Sequence, residues 1–236
     1  MTSITKQTYI ISDVDGVLFN FIDAFRNELT NKWGWAPDVN KFSEYNFLNL
    51  VSKEYLLSEE LAKVYISNIV KHIHQYSSEP VYQDTCAAYS KFLLHEPNEH
   101  RKASWKIQFV TGRKQNLDNI DNLHDMLRDF LPLISIEDSI ICFEFSAARK
   151  VEYAIAQAES LYLYPHHHVI LIDDDPSVVQ EFESKEKPLN LKLIIKAQPY
   201  NCWHGVHKNN QIKYVSELKF EQLDRKSPFY LFNGLQ

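Results

Sequence analysis

Tyr9-Ile10-Ile11-Ser12-Asp13-Val14-Asp15-Gly16-Val17-Leu18-Phe19-Asn20 is the stretch on which the fold turns. A short apolar, β-branched run (Tyr9, Ile10, Ile11) gives way to Asp13, one residue, Asp15 and then Gly16. A run of that length bounded by a turn residue predicts a buried strand of a parallel sheet. Asp13 and Asp15 then fall just past its carboxyl end, where open α/β sheets hold their ligands. Carboxylates so close together repel unless a cation or a proton lies between them. Gly16 permits the turn that brings both over one point. The competing reading is an Asp-Gly turn carrying two solvated acids.

Working outward, the same pattern recurs. Val169-Ile170-Leu171-Ile172 is a second buried-strand run, and it ends in Asp173-Asp174-Asp175-Pro176. Consecutive carboxylates at a strand end are unfavourable unless a cation neutralises them, and hard oxygen ligands of this kind select Mg²⁺. Pro176 then opens a helix running to about residue 182. Between the two acidic strand ends, residues 106–110 predict a strand ending in Thr111-Gly112-Arg113. A hydroxyl there can donate to an anionic oxygen, and glycine lets the backbone approach it. A short strand follows at residues 139–143. Ser146 next caps a helix with Arg149 and Lys150 in its first turn, continuing through residues 151–161. Cations at a helix N-terminus oppose its dipole, so Lys150 is either facing an anion or a solvated surface lysine.

The remaining segments read as helices and one more strand. Phe21, Ile22, Phe25 and Leu29 give helical spacing over residues 21–32, stopped by Gly34 and Pro37. Leu56, Leu57, Leu61, Val64, Tyr65, Ile69 and Ile73 predict mutually packed helices up to about residue 78, with Ser58 as a start and Glu59 and Glu60 on its dipole. Residues 77–80 (Ser-Ser-Glu-Pro) read as a linker. Residues 87–94 are helical, and so are residues 117–130, with Leu117, Ile120, Leu123, His124 and Leu127 along one face. Residues 191–197 predict the last strand and residues 215–223 a terminal helix. Strands alternating with helices imply a Rossmann-like α/β fold, a parallel sheet with helices on both faces.

Composition narrows the function classes. Hydrophobic content of 44% and charged content of 24% suit a soluble globular protein. A formal charge of −6 argues against long nucleic acid and anionic membrane as partners. Cys86, Cys142 and Cys202 are widely spaced and fit neither a disulfide framework nor a zinc site, which points to a reducing cytoplasm. The N-terminal residues lack the apolar core of a leader, and no apolar run approaches a membrane span. His166-His167-His168, with His204 and His207, could compose a transition-metal site, but a solvated loop is the stronger reading.

Asp13-Val14-Asp15-Gly16-Val17 resembles the first motif of the haloacid dehalogenase superfamily in its phosphatase form. Thr111-Gly112-Arg113 resembles the second motif, in which the Thr hydroxyl and a neighbouring backbone amide would hold a phosphoryl oxygen, Lys150 the third (with Arg149 as rival), and the Asp173–Asp175 run the fourth, all in family order. The resemblance covers residues 5–20 and 80–225. It implies a core of residues 1–20 and 80–236, with residues 21–79 as a small helical cap inserted after the first strand. It also implies Mg²⁺ held by Asp13, Asp174, Asp173 and the backbone carbonyl of Asp15. Asp173 would be the first of the acid pair and Asp174 the direct ligand, while Asp175 lies in the second layer or in solvent; the triple run leaves that register open.

The resemblance implies a phosphomonoester hydrolase. Asp13 would be the nucleophile that forms an aspartyl-phosphate, and Asp15 the acid and base, a role that requires a raised pKa. Thr111, Gly112 and Lys150 would bind the phosphoryl group. Trp33, Gly34, Trp35, Tyr45, Asn46 and Phe47 near the start of the insertion are similar to the 5′-nucleotidase and deoxyribonucleotidase branch. Trp33, Trp35 and Phe47 are therefore candidate base contacts, or else simply the core of the cap. Gly112-Arg113 and the longer helix between Lys150 and Asp173 depart from that branch. The substrate expected is a small phosphorylated metabolite, a nucleoside 5′-monophosphate in first place. The alternatives are a phosphotransferase or phosphomutase, a polynucleotide 3′-phosphatase, and a non-catalytic binding module of the same fold.

Overall fold

The computed structural model describes residues 8–43, 47–77, 80–95, 107–134, 141–161, 167–201 and 209–219. Among the described residues, six strands form one parallel sheet in the order β3-β2-β1-β4-β5-β6. They are β1 (Thr8–Asp13), β2 (Ile107–Val110), β3 (Ile141–Cys142), β4 (His168–Asp173), β5 (Leu191–Lys196) and β6 (Ile212–Val215). The described α-helices that connect them are α1 (Phe21–Trp33), α2 (Leu48–Glu54), α3 (Glu59–Tyr76), α4 (Gln83–His95), α5 (Leu117–Phe130), α6 (Ala147–Ser160) and α7 (Pro176–Ser184). This is a Rossmann-like strand order, and the order in which successive strands are added reverses between β1 and β4 while all remain parallel. Ile10 pairs with Ile170, and Ile11 with Leu171. Asp13 and Asp173 therefore end adjacent strands at the switch point.

The continuous apolar runs are explained by burial on both faces. Ile10, Phe109, Ile170, Ile172 and Ile194 point into one cluster with residues of α1, α3, α4 and α5. Their alternates Ile11, Val110, Val169, Leu171, Leu193 and Ile195 point into the other, against α6 and α7. A strand buried on both sides needs no polar alternation.

The helices begin and end where local chemistry dictates. Asn20 caps α1, and Gly34 closes it at φ 78°, the left-handed conformation that glycine adopts without penalty. Ser58, Asn116 and Ser146 each accept from a backbone amide three residues on, at the starts of α3, α5 and α6. Asp175 caps α7, with Pro176 following, so this third acid of the run has a local structural use. The helices between β1 and α4 leave and rejoin the core at a narrow neck. There Phe19 bridges Val81, and the amides of Asn20 and Tyr82 donate to the carbonyls of Pro80 and Leu18.

Three expectations need correcting. Residues 191–197 are not the last strand, because Ile212–Val215 pairs parallel to β5. The helix expected from Val215 does not begin there: Val215 ends β6 and residues 216–219 are not helical, while residues 220–223 lie outside the described part. The buried face of α5 is Asn119, Asn122, Leu123, Met126 and Leu127, and Leu117 is 77% exposed. Two asparagines hid this face from a hydrophobicity reading, and both are fixed by polar contacts near the strand ends.

Candidate active site

Asp13, the last residue of β1, is 5% exposed, and Asp173, the last of β4, is fully buried. Lys150, in the first turn of α6, reaches between them. Its Nζ lies 2.8 Å from Asp13 Oδ2 and 2.9 Å from Asp173 Oδ2. The lysine that opposed its own helix dipole is thus compensated by two buried carboxylates. They raise its pKa well above the ordinary value despite burial, which pulls the other way. Asp173 Oδ1 accepts from the amides of Asp174 and Asp175, each at 2.9 Å. Both oxygens of Asp173 are therefore engaged, and the residue acts as a bracket for Lys150 and for the start of α7.

Asp174, 2% exposed, is held from the β5 end. The Tyr200 hydroxyl donates to Asp174 Oδ2, and Asn201 Nδ2 donates to the Asp174 carbonyl. Asn201 also donates to Lys196 O at 3.0 Å, and Gln198 Nε2 to Gly16 O at 2.6 Å. Gly16, at φ +80°, passes so close to Asp174 that a Cβ there would sit 1.9 Å from Oδ2. The residues Gln198, Tyr200 and Asn201 thus tie the two acidic strand ends together, a role their sequence does not advertise.

Carboxylate oxygens of Asp13, Asp173 and Asp174 lie within 4.8 Å of one another, the one such cluster among the described residues. Burial, with Asp173 and Asp15 nearby, pushes Asp13 up to about 8 against the pull of Lys150. Burial, Asp173 and Asp13 likewise drive Asp174 well above the carboxylate range. Asp13 Oδ1 is buried with no hydrogen-bond partner among the described residues. An orphaned oxygen among crowded carboxylates is what a hard divalent cation would satisfy, so the donor set fits Mg²⁺.

Asp15 behaves differently from expectation. Arg113, whose side chain is fully buried, forks onto it with Nη2 2.7 Å from Oδ1 and Nε 3.1 Å from Oδ2. Asn122 accepts the remaining reach of the guanidinium at 3.0 Å, and Phe19 lies under it at 5.0 Å. Burial alone would raise the Asp15 pKa, but Arg113, with His74, outweighs it and holds the carboxyl below its usual value. The raised pKa required of a proton donor is not what this geometry supplies. His74 Nε2, from α3, stands 3.6 Å from Asp15 Oδ2. Burial lowers the His74 pKa, Asp15 opposes that, and Arg113 adds to it.

Thr111 follows β2 and is fully buried, with its Oγ1 accepting from the Arg113 amide at 3.2 Å. Gly112 is exposed and lines a cavity of about 430 Å³ shared with Asp13, Asp15, Lys150 and Asp174. Of the aromatic residues expected to meet substrate, Phe47 lines this cavity. Trp33 instead stacks on Tyr55 and Trp35 lies tilted against it, at 4.3 and 4.8 Å between ring centres, and neither is in its described wall. Tyr45, Asn46, His166, Trp203, His204 and His207 lie outside the described residues. His168 opens β4, at the opposite end of the strand from Asp173. No described helix is long and apolar enough to cross a membrane.

Arg113, Asn122, His74, Gln198, Tyr200 and Asn201 are among the site residues that sequence reasoning missed. Arg113 carried a signal, adjoining Thr111-Gly112; the others meet the site only through tertiary packing.

No protein-family model matches this chain, and no curated protein matches its sequence. Solved structures do resemble it. One named a haloacid dehalogenase-like hydrolase, from Burkholderia xenovorans LB400, shares 11% identity at a TM-score of 0.48, covering 90% of this chain and 94% of that one. One named for β-phosphoglucomutase, from Bacteroides vulgatus, shares 14% identity at 0.45, covering 90% and 85%. Protein tyrosine kinase A of Mycobacterium tuberculosis shares 11% at 0.44, covering 90% and 95%. The activities named are those of the other proteins.

Proposed function

We propose that the protein is a Mg²⁺-dependent phosphomonoester hydrolase working through an aspartyl-phosphate on Asp13. The observation that carries this reading is the Asp13–Lys150–Asp173 chain beside Asp174, at the carboxyl ends of adjacent strands, with Asp13 Oδ1 left without a partner among the described residues. Asp13 and Asp174, with the backbone carbonyl of Asp15, would hold Mg²⁺, which when bound neutralises the phosphoryl oxygens and lowers the pKa of Asp13. Asp173 then serves to aim Lys150 and not as a direct ligand.

The chain's own groups supply the remaining steps. The Asp13 carboxylate attacks phosphorus, the phosphorus–oxygen ester bond breaks, and the leaving oxygen takes a proton from Asp15. Lys150 and the backbone at Gly112 stabilise the charge that spreads over the transferring group. Water then attacks the phosphorus of the aspartyl-phosphate, the bond between phosphorus and the Asp13 carboxylate oxygen breaks to release inorganic phosphate and the free carboxylate, and Asp15 accepts the proton of the water. The Arg113 fork suits that second task, since it keeps Asp15 ionised. Donating a proton in the first step requires Asp15 to be displaced from Arg113 once substrate fills the cavity.

The inserted helices over the site form the cap in this reading, a domain of residues 21–79 on a core of 1–20 and 80–236. The preferred substrate is a small phosphorylated metabolite, with a nucleoside 5′-monophosphate first, supported by Phe47 in the cavity wall. Cytoplasmic location accords with the unpaired Cys86 and Cys142. Phosphate release from nucleoside 5′- and 3′-monophosphates, sugar phosphates, a 3′-phosphorylated oligonucleotide and an aryl phosphate, with Mg²⁺ and with EDTA, tests the reading. Metal-dependent release from at least one class is expected. No release from any class, in protein shown to bind Mg²⁺, overturns it in favour of a transferase or a binding module.

A further inference from the structure

The carbonyl and the carboxylate of Asp174 are held by neighbouring residues that rest on different supports. Asn201 donates to the carbonyl and is itself tied into the core, donating to Lys196 O at 3.0 Å and accepting from the Gln198 amide at 2.6 Å. The carboxylate is oriented by the Tyr200 hydroxyl. Tyr200 is half-buried, and its ring packs against the apolar cluster that the inserted helices share, with Phe47 6.3 Å away at a tilt of 54°. That separation lies within the range over which aromatic pairs attract. A residue of the cap thus stands one side chain away from a carboxylate assigned to Mg²⁺.

Phe47 is an unusual residue for its position. It is the capping residue of α2, where Ser, Thr, Asp or Asn would accept an amide, and its side chain caps nothing. Its φ of 52° is in the left-handed region, which a bulky residue occupies only when its surroundings compel it. Those surroundings are Phe42 at 5.0 Å, Phe25 at 5.1 Å and Phe21 at 6.2 Å between ring centres, around a residue that is 4% exposed. Local sequence would not choose this conformation; packing imposes it. The result is a ring shared by the aromatic cluster of the cap, the cavity wall and Tyr200.

A ring held in this way has little freedom to relax. Turning Tyr200 away from Asp174 would open a gap beside Phe47, and moving Phe47 would leave Tyr200 without the ring on which it rests. Asp174 Oδ2 lies close over Gly16, so the direction of its hydrogen bond from Tyr200 decides where the other carboxylate oxygen points.

We propose that Phe47 is a positioning residue for Asp174, acting through Tyr200, so that the seating of the inserted helices and the affinity for Mg²⁺ are coupled. The inference rests on the assignment of Mg²⁺ to Asp174 in the hydrolase reading, and it needs no turnover. By linkage the coupling runs both ways: a seated cap tightens Mg²⁺ binding, and Mg²⁺ holds the cap in place by the same factor.

Calorimetric titration of the full-length protein with Mg²⁺, with no phosphate compound present, tests it. Phe47→Leu fills the cap but removes the ring, and should weaken Mg²⁺ binding about three- to tenfold, the worth of one aromatic pair. Tyr200→Phe keeps the ring and removes the hydroxyl, and should weaken it about 10- to 100-fold. In the Tyr200→Phe protein the further change Phe47→Leu should alter binding by less than about 1.5-fold, because the route to Asp174 is already cut. Hydrogen exchange of the α2 amides gives the reverse reading in proteins that retain Phe47. Saturating Mg²⁺ should slow that exchange in the unsubstituted protein and leave it unchanged in Tyr200→Phe. Three results overturn the inference and leave the metal assignment standing: Mg²⁺ affinity unaltered by Phe47→Leu, an equal loss with and without the Tyr200 hydroxyl, or equal slowing of α2 exchange in both proteins. No Mg²⁺ binding by the unsubstituted protein removes the metal assignment and the inference with it.

Discussion

Gly16→Ala is the substitution whose effect the geometry determines most sharply. The added methyl carbon would lie 1.9 Å from Asp174 Oδ2 and 2.2 Å from its Cγ, well inside the 3.4 Å at which ordinary contact begins. Asp174 is 2% exposed and its carboxylate is held by Tyr200, so it has to leave that position or push β1 and β4 apart. The φ of +80° adds a penalty of about 1–2 kcal/mol for a residue with a Cβ. For a chain of this size that lowers Tm by only about 2–8 °C. Displacing by an ångström an acid proposed to hold Mg²⁺ costs roughly 100-fold in rate. The expected signature is therefore a folded protein with a modestly lower Tm, a loss in kcat/KM of at least about 100-fold, and a weakened response to Mg²⁺. Thermal melts followed by circular dichroism, with a Mg²⁺ titration of phosphate release, read all three. Activity within about tenfold of the parent at unchanged Mg²⁺ demand would refute the placement of Asp174 over Gly16.

Tyr200→Phe removes the hydroxyl that orients Asp174, and should raise the Mg²⁺ concentration for half-maximal activity by about 10- to 100-fold; an unchanged titration would show the contact to be passive. Lys150→Met leaves Asp13 and Asp173 buried without their shared cation, and should cost about 3–5 kcal/mol in urea unfolding, partly recovered by Mg²⁺. Without metal, Asp13 is raised to about 8 and Asp174 is raised too, so between pH 4 and 8 the native state binds more protons than the unfolded chain. Stability in EDTA should then fall as pH rises through that window, and saturating Mg²⁺ should flatten the slope. Melts at pH 5, 6, 7 and 8 check the sign.

Much of this arrangement is legible from local chemistry. Strands buried on both faces leave continuous apolar runs, so β1 and β4, and the acids that end them, stand out before any contact is known. Lys150 stands out because a cation in a first helical turn needs a compensating anion. What could not be read depends on pairing across long stretches of chain. Arg113 meets Asp15 across 98 residues, and Gln198 meets Gly16 across 182. Asn119 and Asn122 turn a helix face by polar contacts that hydrophobic periodicity cannot register. The short β6 has a Lys and a half-exposed Tyr at its centre, which weakens the apolar signal that revealed its neighbours.

The proposed mechanism passes through a covalent bond between an Asp13 carboxylate oxygen and phosphorus. The most direct measurement is borohydride reduction of the protein during turnover of its best substrate with Mg²⁺, followed by peptide mass analysis. Reduction of an aspartyl-phosphate leaves homoserine in place of that aspartate. Homoserine is expected at position 13, absent with EDTA or without substrate. Modification at another residue, or none in a protein actively releasing phosphate, would contradict it.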